Sequence, residues 1–339
     1  MKAVTLDYGE RRLAGRDVPE PGLSAPSDVL LRVHEVGVCG TDYKLASFEI
    51  GRPPEGECYL VLGHEALGQV EAVGSGVEGL ARGDWVVPMV RRACAPPCVS
   101  CARGRTDLCL TGGYTERGIV GAHGYFAEYA VDAAAHLVRV PAELVDRAIL
   151  IEPLSVVEKA IETALRLREP GPRTATVLGA GTIGILAALA LQQRGFDVTV
   201  SSLEPPDHPR ARLIARAGIG YREGLEVIAP AGIVLEATGS PKAALAGFGL
   251  LGPLGVYGIL GAGNLAGEIP LNDIVMQNQV IFGSVNASPA AFEAAIEDLA
   301  CFDARIVSAL IARYGFDDFE STLKPGSGEA AKSVHRLTG

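Results

Sequence analysis

The glycine-spaced turn Gly179-Ala180-Gly181-Thr182-Ile183-Gly184 constrains this chain more than any other feature. It follows an apolar run, Thr174–Leu178, with strand character, and it opens a segment, Thr182–Arg194, with helical spacing. In that context the first glycine allows the tight turn, the second lets backbone approach a pyrophosphate, and the third lets helix and strand pack closely. Phosphate oxygens then meet the free N–H groups of a helix N-terminus. Gly179, Gly181, Thr182, Ile183 and Gly184 are therefore the predicted dinucleotide contacts. Strands and helices keep alternating beyond the turn: strand Val198–Ser202, helix Pro209–Ala217, strand Ile233–Ala237, a helical pattern over Pro241–Leu251, and strand Gly255–Leu260. That alternation predicts an α/β unit, a doubly wound parallel sheet wrapped by helices.

The texture before this unit differs. Residues 1 to about 150 show short alternating segments broken by Gly, Pro and Asp, as in Val29–Val36 and Gly68–Val73, which is the period of half-buried strands in a barrel-like all-β unit. The helical pattern starts near Leu154. After Val280-Ile281-Phe282-Gly283 the chain should leave the parallel sheet for a helix near 290–300 and a short mixed tail.

At 339 residues the chain is long enough for two cores, and 48% hydrophobic with 21% charged residues is ordinary for a globular protein. A net charge of -10 repels phosphate, which argues against nucleic acid or an anionic membrane as partner. No apolar run reaches the roughly 18–20 residues that span a bilayer, and Met1–Asp7 reads as a first strand rather than a leader. The expected location is the cytoplasm. Of seven cysteines, four fall within sixteen positions, a clustering that in a reducing compartment points to metal more than to disulfides.

Two ligand sets of different character precede the glycine turn. Cys39 lies in Val38-Cys39-Gly40-Thr41-Asp42, and His64 in Leu62-Gly63-His64-Glu65. Thiolate and neutral imidazole are ligands that zinc prefers, and a catalytic site holds three protein donors while keeping a fourth position open. Glu152, where the β unit hands over to the nucleotide unit, is the favoured third donor, and Glu65 is the alternate. Cys94, Cys98, Cys101 and Cys109 instead place four thiolates in one loop rich in Pro, Gly and Arg. A closed tetrahedral site there would supply cohesion that such a loop cannot obtain by burial.

These motifs, together with Val90-Arg91-Arg92, Thr115-Glu116-Arg117-Gly118-Ile119, His123–Tyr129, Glu152-Pro153-Leu154-Ser155 and Val285-Asn286, resemble the zinc-dependent medium-chain dehydrogenases. Within them the chain is most similar to the microbial glucose dehydrogenases, over nearly its whole length. The resemblance implies a GroES-like β-barrel catalytic domain at 1–153 with a structural zinc lobe at 91–112. A Rossmann dinucleotide-binding domain follows at 154–285, and a segment at 286–339 returns to the catalytic domain. It further implies catalytic and structural zinc, NADP or NAD, and hydride transfer from the C1 hydroxyl of an aldose, glucose first, to give the lactone. Glu116, Glu152 and Asn286 match sugar-binding positions, Thr41 the hydroxyl that relays the substrate proton, and Glu65 is the candidate base. Lys44 stands where many alcohol dehydrogenases continue the relay with histidine.

Ser201, Ser202 and Thr238 are the further cofactor contacts. A serine pair ends the second strand, so NADP is expected, with NAD also accepted; Arg210 or Arg212 would supply positive charge, while Glu204 is an alternative group for the ribose. Relatives are homodimers or homotetramers. Three departures stand out: three residues rather than two between Cys94 and Cys98, and apolar Val90 and Val156 where the family shows polar and acidic side chains. The other readings are a zinc polyol or alcohol dehydrogenase with a different pocket, and a catalytically silent nucleotide-binding protein.

Overall fold

Six parallel strands build the sheet that the glycine turn anticipates, in the order Gly220–Glu223, Asp197–Ser202, Thr174–Leu178, Ala231–Glu236, Leu251–Ile259, Val280–Gly283. The structure is a computed structural model and describes residues 1–225, 229–261, 263, 266–324 and 329–337. Chain order reverses beside Thr174–Leu178, the first strand of the unit. Ligands of open α/β sheets bind at such a switch point, outside the carboxyl ends of the strands, and Gly179–Gly184 lies there.

The helix Thr182–Gln193 is apolar on every side and buried from Gly184 to Leu191. It packs against the strands Thr174–Leu178 and Asp197–Ser202 and against the helix Ile151–Leu167. That longer helix buries Ile151, Leu154, Val157, Ile161 and Ala164, a stripe at helical spacing, and it also packs on the helix Pro289–Cys301. Glu152 sits in its first turn.

A second, seven-stranded sheet joins Leu137–Val140, Trp85–Pro88, Glu65–Val73, Asp28–Val38, Lys332–Arg336 and Ile311–Tyr314 in that order, with Tyr129–Ala133 also pairing on Asp28–Val38. Two three-stranded sheets complete the β part: Arg12–Asp17, Lys2–Asp7 and Tyr59–Val61 form one, and Arg91–Arg92, Thr115–Arg117 and Gly121–Ala122 form the other. Among the described residues no helix is long and apolar enough to cross a membrane.

The tail departs from its mixed reading. Lys332–Arg336 is an interior strand, antiparallel to Asp28–Val38 and parallel to Ile311–Tyr314. Its sequence, Lys-Ser-Val-His-Arg, reads as polar, yet Lys332, Val334 and His335 have no exposed surface. Polar side chains at buried positions hide a strand from periodicity. Gly220–Glu223 was likewise invisible, being short and mostly exposed at the sheet edge.

Candidate active site

The metal-side residues gather through local geometry. Cys39 caps the short helix Gly40–Ala46: its thiol sulfur accepts from the Thr41 N–H at 3.3 Å, while the Asp42 carboxylate accepts from the Cys39 N–H at 2.9 Å. His64 precedes the strand Glu65–Val73, which lies beside Asp28–Val38 with Glu65 opposite Gly37. Cys39 Sγ and His64 Nε2 therefore stand 3.2 Å apart, and His64 Nδ1 faces Asp42 Oδ1 at 3.4 Å. Donor atoms of Cys39, His64 and Glu65 all lie within 4.8 Å of one another. Of the two carboxylates read as candidate third donors, Glu65 falls within that distance, and Glu152 stands outside it.

Glu152 shares the same buried neighbourhood. Burial first, then repulsion by Glu65, lifts its carboxyl to about 8, against the pull of His64 and Lys332. Burial opposes charging of His64, but Asp42 and Cys39 outweigh it and hold the imidazole well above its usual value. Three acids and a thiol around one imidazole and one lysine make a donor set suited to a divalent cation. A zinc ion with sulfur and nitrogen ligands at about 2.3 and 2.0 Å holds those atoms some 3.5 Å apart, close to what Cys39 and His64 present.

The sulfurs of Cys94, Cys98, Cys101 and Cys109 also lie within 4.8 Å of each other, and all seven cysteines are free. The extra residue before Cys98 leaves Cys94 in the set, because the Cys98 N–H donates to Cys94 Sγ at 3.1 Å. N–H groups of Cys101 and Leu110 pull the Cys98 thiol down to about 6. Four thiolates so arranged fit a closed tetrahedral zinc site.

In the nucleotide turn a Cβ on Gly184 would sit 1.9 Å from the Gly179 carbonyl oxygen, so only glycine fits that strand–helix approach. Gly181 has open space before it, and Ile183 is half-buried. The Thr182 hydroxyl is engaged with the Ala331 carbonyl at 2.6 Å. Ser202 accepts from the Ala180 N–H at 3.2 Å and donates to Glu204, which pairs with Arg210 at 3.2 Å; Ser201 donates to the Gly224 carbonyl. Arg212 is exposed. Thr238 is tied to the fully buried Glu236 through both its N–H, at 2.6 Å, and its hydroxyl.

Glu116 and Asn286, 170 positions apart, meet: Asn286 Nδ2 donates to Glu116 Oε1 at 3.1 Å. The segment that carries Glu116 also abuts the side of the molecule that holds Cys39 and His64, since a Cβ on Gly118 (φ 70°) would fall 2.5 Å from the carbonyl oxygen of Gly63, next to His64. Thr41 is half-buried, two residues after Cys39. Sequence reasoning missed three residues. Asp42 and Arg91 stood inside motifs already singled out, but nothing local marked them. Lys332, whose ammonium meets Glu65 and donates to the Val38 carbonyl at 3.1 Å, had no sequence signal at all.

Residues 145–336 match the family of glucose dehydrogenase C-termini, and residues 25–142 match the alcohol dehydrogenase GroES-like domain. Glucose 1-dehydrogenase 2 of Vulcanisaeta moutnovskia is 43% identical over 314 residues, covering 88% of this chain and 87% of that one. A glucose 1-dehydrogenase of Thermoproteus tenax is also 43% identical, with 88% of each chain covered. Among solved structures, glucose dehydrogenase of Haloferax mediterranei in complex with NADP, zinc and gluconolactone superposes with a TM-score of 0.91 at 31% identity, over 100% of both chains.

Proposed function

The chain belongs to the zinc-dependent medium-chain dehydrogenases, in their glucose dehydrogenase branch, and on that premise we propose that it oxidises the C1 hydroxyl of an aldose, glucose first, to the lactone with NADP or NAD as hydride acceptor. The observation that carries the reading is the convergence of Cys39, His64 and Glu65 within 4.8 Å, beside a segment where Glu116 and Asn286 meet. Cys39 and His64, with Glu65 or Glu152 as third donor, would hold a zinc ion whose Lewis acidity makes a hydroxyl easier to deprotonate. Thr41 takes that proton from the substrate oxygen and passes it on, with Glu65 the nearby base. Glu116, Glu152 and Asn286 bind the sugar hydroxyls and reject ligands lacking them, because their polar atoms would then stay unpaired.

Gly179, Gly181, Thr182, Ile183 and Gly184 cradle the pyrophosphate; Ser201, Ser202 and Thr238 border the rest of the dinucleotide. Cys94, Cys98, Cys101 and Cys109 hold the structural zinc. The working domain limits are 1–153, 154–285 and 286–339. Free cysteines throughout suit a cytoplasmic enzyme. The half-buried edge strand Val280–Gly283, preceded by the exposed Leu271, Val275 and Met276, suits a homodimer or a dimer of dimers.

The test is a panel of aldoses and polyols followed by cofactor absorbance, with zinc measured per chain. Aldose oxidation, abolished in Cys39→Ser with loss of one of two zinc ions, is expected. Rates only with polyols would replace the substrate class, which the apolar Val90 and Val156 make the reading to weigh against it. Zinc-free enzyme with undiminished turnover would overturn the reading.

A further inference from the structure

We propose that Asp107, inside the four-cysteine loop, is a positioning residue that aims the Glu116 carboxylate at the substrate by holding both of its protein partners. The inference rests on Glu116 being a sugar contact, as proposed above. Among the described residues, the bonds to the Glu116 carboxylate all fall on Oε1: Arg91 Nε and Nη2, each at 2.9 Å, and Asn286 Nδ2 at 3.1 Å. Oε2 has no hydrogen-bond partner among the described residues, which leaves it for a hydroxyl. Where it points is set by Arg91 and Asn286.

Asp107 reaches both. Its backbone carbonyl accepts from Arg91 Nη1 at 3.3 Å, while the same guanidinium lies 3.8 Å over the Tyr114 ring. Its carboxylate, with no exposed side-chain surface, is clamped by Arg105 at 2.9 and 2.8 Å and pairs with Lys159 Nζ at 2.9 Å. Lys159 in turn donates to the Val285 carbonyl at 2.9 Å, one residue before Asn286, whose φ of 62° is an unusual conformation that needs holding. One residue therefore controls Glu116 by two routes, the carbonyl through Arg91 and the carboxylate through Lys159 and Val285–Asn286. Lys159 also lies two turns after Glu152 on one helix, on the same face. The cysteine loop, which brackets Asp107 between Cys101 and Cys109, thereby acts on substrate geometry as well as on cohesion.

Asp107→Asn keeps size and carbonyl and removes the charge that holds Lys159; Lys159→Met cuts the second route alone. Both are expected to raise the aldose KM roughly tenfold, the worth of one misplaced charge-assisted hydrogen bond, with kcat within about threefold and the cofactor KM unchanged. Added to Glu116→Gln, Asp107→Asn should cost little more, because the two act on one contact. A crystal structure of D107N should show the Asn286–Glu116 bond broken. Losses that multiply in the double variant overturn the proposal, as does an intact Asn286–Glu116 bond with unchanged aldose KM. A loop that serves only as scaffold would lower the melting temperature and shift kcat and cofactor KM together. If Glu116→Gln leaves the aldose KM unchanged, the sugar-contact reading fails, and the D107N crystal structure alone then decides whether Asp107 positions Glu116.

Discussion

Lys332 is fully enclosed, and its ammonium meets a carboxylate, Glu65, that is itself 2% exposed. Removing one partner of a buried pair strands the other charge, at a cost of about 3–5 kcal/mol. Lys332→Met should therefore lower unfolding stability by that order when measured by denaturant after chelation, since a bound cation would otherwise compensate Glu65. Glu204 governs a different choice. Burial opposes its ionisation, yet the Ser202 hydroxyl and Arg210 together hold it below the usual carboxylate range, so a fixed negative charge stands at the end of the second parallel strand. A 2′-phosphate would meet that charge, whereas ribose hydroxyls would donate to it. Glu204→Gln should raise the ratio of kcat/KM for NADP over NAD by roughly tenfold, about 1.4 kcal/mol. No rise would remove Glu204 from cofactor selection. Glu204 and the serines before it were readable from the fingerprint's spacing; Lys332 was not, because its partners lie more than 260 positions away.

The strand Lys332–Arg336 is held by more than its ladder. His335 Nδ1 donates to the Gly315 carbonyl at 2.7 Å, and the Thr322 hydroxyl meets Nε2 at 2.6 Å. Burial, only partly offset by the Gly315 bond, keeps this imidazole below its ordinary value of 6.5. The unfolded chain then binds the proton more readily than the folded one. The contribution to stability is complete above about pH 6.5 and is lost as pH falls through the depressed folded value. Denaturant titrations at pH 8 and pH 5 should show a drop that is smaller in His335→Gln. An equal drop in both would assign it to His34 and His136, which burial depresses in the same direction. The strands Thr174–Leu178, Asp197–Ser202 and Ala231–Glu236 and the helices Thr182–Gln193, Pro209–Arg216 and Pro241–Gly249 were legible to within a few residues, because their apolar periods match their environments, whereas the short, exposed Gly220–Glu223 was not. This strand was not, because its buried positions carry Lys and His.

At the scale of the whole molecule, one sheet edge without a pairing partner among the described residues lies beside an exposed apolar surface. Val280–Gly283 ends the six-stranded sheet, and Leu271, Val275 and Met276 on the preceding helix are 68%, 71% and 71% exposed. Pairing with a second copy would satisfy the free strand edge and cover this apolar surface. Light scattering should give at least twice the 35.3 kDa chain mass, and Val275→Lys with Met276→Glu should shift it toward monomer; a monomeric parent would refute the interface. The sequence by itself determined the local motifs: the glycine turn with its strand and helix, the four closely spaced thiolates, and the Cys39 and His64 segments, all properties of neighbours along the chain. Only the tertiary structure decided which distant groups meet. It brought Cys39, His64 and Glu65 within reach of one another, set Lys332 against Glu65, and joined Glu116 to both Arg91 and Asn286, because sheet register and long-range packing, not spacing along the chain, fix those distances.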